Sequence, residues 1–72
     1  MTMETLKAGN GSATIVLDRR ELRTLQSSLN EVCNGIDIDA IEFPTRIGAP
    51  RESALKLLAQ LSRVIDQAES EM

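Results

Sequence analysis

From Ala54 to Ala68 the apolar residues Ala54, Leu57, Leu58, Leu61, Val64, Ile65 and Ala68 recur every one, three or four positions. A strand, with its period of two, cannot gather these positions on one side, whereas a helix can. The spacing therefore predicts a long amphipathic helix over residues 50–68, and the rest of the chain must supply the surface it packs against. Leu55 falls beside the stripe and widens it. Pro50 suits the first helical position, where an amide hydrogen has no partner to lose. Arg51, Glu52 and Ser53 read as solvated first-turn residues, and Glu52 and Lys56 are spaced to pair across one turn.

A second stripe is made by Leu22, Leu25, Leu29, Val32 and Cys33. Asp18 and Glu21 precede it at capping-box spacing, in which each side chain satisfies the other's backbone amide. A helix over 18–34 follows, with Asn34-Gly35 expected to supply a left-handed residue at its end. Cys33, on the edge of the stripe, reads as a small core hydrophobe. As the single cysteine it has no partner for an internal disulfide, which fits a reducing compartment.

Extended structure is expected in two places. Ala13 to Leu17 is rich in β-branched residues, and Ile41, Phe43, Thr45 and Ile47 alternate with Glu42, Pro44 and Arg46. Pro44 has no amide hydrogen, so a strand over 41–47 must lie at an edge or break there. Gly48 is placed for a positive-φ turn into the last helix. Residues 1–12 end in Ala-Gly-Asn-Gly-Ser and read as a flexible arm, and Ser70 to Met72 should fray. The expected fold is thus α+β, in β-α-β-α order: helices at about 18–34 and 50–68, strands at about 13–17 and 41–47, and one small domain over 13–69. At 72 residues with one aromatic side chain, the core must come from Leu, Ile, Val and Ala, and stability will be thin.

The residue inventory narrows the function classes. The chain has no His, Tyr or Trp, no glycine-rich phosphate loop before a helix, and no Ser or Cys beside a base, so an enzyme is not expected. Asp37 and Asp39 fall short of a calcium loop, so neither a metal nor another cofactor is expected. With 8 basic against 11 acidic residues the net charge is -3, which argues against a phosphate-binding face. Arg19, Arg20 and Arg23 form a small basic patch, yet the 34–49 connection is too long for a helix-turn-helix. The N-terminus has no apolar leader core and no run is long enough to span a bilayer, so a cytoplasmic, non-membrane protein is expected.

Acidity is concentrated from Glu31 to Glu42, where Glu31, Asp37, Asp39 and Glu42 occur with no basic residue between them. Carboxylates beside an edge strand suit a basic protein ligand, because complementary charge speeds encounter and an open edge accepts another strand. The plainer reading is that Asp37 and Asp39 solubilise a loop anchored by Ile36 and Ile38. Arg46, on the polar phase, would pair with Glu42 or Glu31, or contact the partner.

The segments LNEVCNGI (29–36), FPTRIG (43–48) and RESALKLLAQL (51–61) resemble a group of small bacterial proteins sharing an N-E-V-x-N-G helix end, an F-x-T-R-(I/L)-G segment and an amphipathic last helix. The resemblance spans about residues 14–66, and its motifs imply no activity of their own. Some short acidic bacterial proteins are immunity proteins, which neutralise a toxin domain, often a basic nuclease, by occlusion. By that analogy the chain is expected to be an immunity or antitoxin-type inhibitor, with Glu31, Asp37, Asp39, Glu42 and Arg46 meeting the partner. A homo-oligomeric structural or adaptor protein, such as a homodimer, is the second expectation, and a small DNA-binding regulator the third.

Overall fold

In the computed structural model, which describes residues 3–70, Asn10 and Gly11 both adopt positive φ, 55° and 78°. Two successive left-handed residues make the tight turn whose twist matches that of paired strands, and Asn-Gly is the dipeptide that tolerates it best. Strand β1 (Glu4–Gly9) therefore turns directly into strand β2 (Ser12–Val16), and the two pair antiparallel from Gly9 opposite Ser12 to Glu4 opposite Val16. The register slips between Thr5 and Lys7, leaving Leu6 as the extra residue. The expectation of a flexible arm without regular structure is corrected over residues 4–12: the Gly-Asn-Gly cluster is a hairpin turn. Residues 1 and 2 of that arm lie outside the described residues. Strand β2 falls where the first extended segment was expected.

Helix α1 (Arg19–Asn30) opens on the expected capping box. Asp18 Oδ1 accepts from the Glu21 amide at 2.8 Å and Glu21 Oε1 accepts from the Asp18 amide at 3.0 Å. Its far end differs from expectation. The helix runs into a single π-helical turn, Glu31–Gly35, closed by the Ile36 amide donating to the Glu31 carbonyl at 2.8 Å. Gly35 does not take the left-handed conformation; the chain leaves the turn through extended Ile36. What Gly35 provides is room, since a Cβ there would sit 2.6 Å from the Glu31 carboxyl carbon.

The expected strand at 41–47 is a short helix instead. Helix α2 (Phe43–Ile47) carries Pro44 in its first turn, where the missing amide hydrogen costs nothing. Gly48, at φ 92°, ends it with the Gly48 amide donating to the Pro44 carbonyl at 2.8 Å, as a left-handed C-terminal residue does. Helix α3 (Arg51–Ser70) starts one residue later than expected, with the Pro50 carbonyl accepting from the Ala54 amide at 3.1 Å. Of the residues expected to fray, Ser70 closes α3 and residues 71 and 72 lie outside the described residues. The α+β class stands, in the order β-β-α-α-α with the π turn after α1.

Helices α1 and α3 pack antiparallel. Arg23, early in α1, meets Glu69 at the end of α3; Gln26 meets Ser62; and Cys33 and Ala54 share the core. That core lies at one end of the helix pair and comprises Cys33, Ile38, Phe43 and Ala54, with Val32 against it. Phe43, the only aromatic residue, is fully buried at 0% exposure. At the other end Leu22 and Ile65 are buried.

Candidate functional site

The segment after the π turn is pinned from inside. Ile38 is buried, and its carbonyl accepts from Arg51 Nη2 at 2.7 Å across thirteen residues of sequence. The same guanidinium lies over the Phe43 ring, 4.9 Å from its centroid, so one cation holds both ends of the 38–43 segment. Arg51 Nε is buried with no hydrogen-bond partner, so stacking and one strong hydrogen bond must hold the side chain in place. The first-turn arginine expected to be solvated is therefore a half-buried brace.

Asp39 is held by its own local bonds. Its Oδ1 accepts from the Ile41 amide at 3.1 Å, and its carbonyl accepts from Glu42 and Phe43 at 3.0 and 2.9 Å. This is how an aspartate turns the chain into a helix. Asp39 and Glu42 repeat the D-x-x-E spacing of Asp18 and Glu21, but without the reciprocal bonds of a capping box, since α2 has no side-chain cap. From Asp39 the chain winds helically through Glu42 to Arg46, whose amide donates to the Glu42 carbonyl at 3.0 Å. Steps of three and four residues place Asp39, Glu42 and Arg46 on one side of this winding.

Not every expected contact residue joins that surface. Asp37 lies on the extended stretch, exposed and next to buried Ile38. Glu31 belongs to the π turn, where its carboxylate lies over Gly35. Arg46 is exposed, and among the described residues its side chain pairs with neither Glu42 nor Glu31. The feature that sequence reasoning missed is Ile41. The period-two pattern assigned it to a core face, yet it is 85% exposed, between Asp39, which builds the turn, and exposed Glu42. Ile36 and Ile47, also expected to face inward, are exposed as well.

The basic patch behaves differently from the acidic segment. Arg23 Nη2 sits 2.6 Å from Glu69 Oε2, and Arg19 Nε lies 3.8 Å from the same oxygen. The Arg23 hydrogen bond holds the Glu69 carboxyl below its ordinary range and raises the Arg23 guanidinium in turn. Two of the three arginines in this patch thus clamp α1 to α3.

Among the described residues, no three His, Cys, Asp or Glu side chains converge as metal ligands would, and no helix is long and apolar enough to cross a membrane. Comparison with protein-family models, curated proteins and solved structures finds no match to the chain.

Proposed function

We propose that this chain is a protein-binding module of the cytoplasm that acts by contact and not by catalysis. It is an inhibitor of the immunity or antitoxin kind, which occludes a basic protein partner, a toxin domain such as a nuclease. Ile41 carries this reading: a large apolar side chain 85% exposed on a braced segment, with carboxylates on both sides. Binding surfaces commonly concentrate their energy in a central apolar anchor while charge around it sets partner choice and encounter rate. Asp37, Glu42 and Glu31 supply the negative field, Asp39 fixes the turn that raises Ile41, and Arg46 stands at the border with no partner of its own in the described chain.

Pre-organisation supports the same reading. The Arg51 brace and buried Phe43 set the shape of the segment before any partner arrives, so little ordering entropy is lost on binding. The test is affinity capture from the native host with the wild-type chain and an Ile41→Asp variant as baits. A basic protein must be retained by the first, released by the second, and inhibited in the complex. Baits that retain the same proteins equally overturn the reading.

A further inference from the structure

The long stripe of α3 does not face one neighbour. Ala54, Leu58 and Ile65 point toward α1, where Ala54 and Ile65 are buried. Leu57, Leu61, Val64 and Ala68 occupy a second row, about 70° around the helix by its 100° step per residue. Leu57 and Val64 on that row are 53% and 47% exposed. Leu61, Val64 and Ala68 of that row, with Ile15 and Val16 of β2, line an open apolar groove of about 450 Å³.

The hairpin beside the groove is equally uncovered, since every residue of β1 and β2 is exposed. A lone two-stranded hairpin is at best marginal in water. The whole molecule carries the same signature. Its accessible surface is 5646 Å² where a folded monomer of this mass would show about 4,400 Å². Its radius of gyration is 13.7 Å where about 11 Å is expected for this length.

We propose that a second copy of this chain covers the hairpin and the groove, giving a two-fold homodimer. The excess of about 1,200 Å² per chain amounts to about 2,400 Å² for a pair, which is the size of an obligate homodimer interface. Charge fits as well. In a two-fold contact the same patch meets itself, so a patch with net charge would repel its copy. The strands carry one acidic and one basic residue, Glu4 and Lys7, and are neutral although the chain is not. The acidic segment lies at the opposite end of α3, beside Arg51, away from this contact.

Light scattering on the eluting full chain, from low to high micromolar concentration, tests the proposal. The expected mass is twice the 7.9 kDa of one chain. Val64→Lys should raise the dissociation constant at least tenfold with helix content unchanged by circular dichroism, while Leu55→Lys, outside the groove, should leave the dimer intact. If Val64→Lys unfolds the chain, Val64→Ala decides by a several-fold weakening without added charge. A mass of one chain throughout, or a dimer indifferent to both Val64 variants, overturns the proposal, whether the groove is then empty or holds a different protein.

Discussion

The guanidinium of Arg51 covers the ring of Phe43 at 4.9 Å while Arg51 Nη2 closes on the Ile38 carbonyl at 2.7 Å. A residue at the start of one helix thereby fixes a loop and a second helix that share no regular backbone ladder with it. Arg51→Met keeps an apolar stem but leaves the Ile38 carbonyl unpaired, and should destabilise the chain by about 1–3 kcal/mol. Arg51→Lys should recover little, because an ammonium lacks the planar face that stacks on the ring. Urea unfolding of the two variants checks both expectations, and full recovery by Lys would reduce the brace to a matter of charge.

Phe43→Ala should cost about 3–5 kcal/mol, since it empties the one fully buried aromatic position of a small core. That is a large fraction of the stability of any domain this size. Thermal unfolding followed by circular dichroism should show the variant melting well below the wild type, or not folding at room temperature. An exposed apolar change on the same segment, Ile41→Asp, should move the melting point little.

The acidic segment separates into carboxylates that are simply exposed and one, Asp39, that builds the turn. Asp37→Ser with Glu42→Ser should slow association with a basic partner at low salt and leave folding intact. Asp39→Ala should instead destabilise by about 0.5–2 kcal/mol through loss of the bond to the Ile41 amide. Stopped-flow association rates and unfolding curves, run on both variants, distinguish the two roles. Equal on-rates for the double variant and the wild type at low salt would remove steering from the account.

Glu69 provides a pH signature. Its carboxyl titrates below the ordinary range because it accepts from Arg23, with the charges of Arg23 and Arg19 adding to the effect and burial opposing it. A depressed carboxylate stabilises fully above its unfolded pKa, and the stabilisation is lost as pH falls through the lower folded value. The difference in melting temperature between wild type and Glu69→Gln should therefore be constant at neutral pH and close only below the ordinary carboxylate range. A gap that closes near pH ~6–7, well above the ~4.3 of an unperturbed glutamate, would mean that Glu69 is not the group responsible.

Both long helices could be read from the chain because their apolar residues repeat over several turns, and the Asp18–Glu21 box marks the start of the first. The segment around Phe43 could not, for a physical reason. Over five residues, alternation and helical winding differ little, and Pro44 is as acceptable at a helix start as at a strand edge. Only Phe43 of the four alternating residues is buried, which no local pattern states. The hairpin is harder to read, because Asn10-Gly11 has the composition of an interruption where its two positive φ values reverse the chain. The acidic positions of the candidate site were visible, but the roles of Asp39 and Arg51 depend on backbone geometry and on contact across thirteen residues.

Helix α3, at twenty residues, is about 30 Å long, with the braced loop at its beginning and the hairpin groove toward its end. That span is several times the ~8 Å over which charges sense one another in physiological salt. A carboxylate gained or lost beside Ile41 therefore leaves the electrostatics of the hairpin untouched, and the reverse holds as well. Each end of this short chain can change its charges without altering the other.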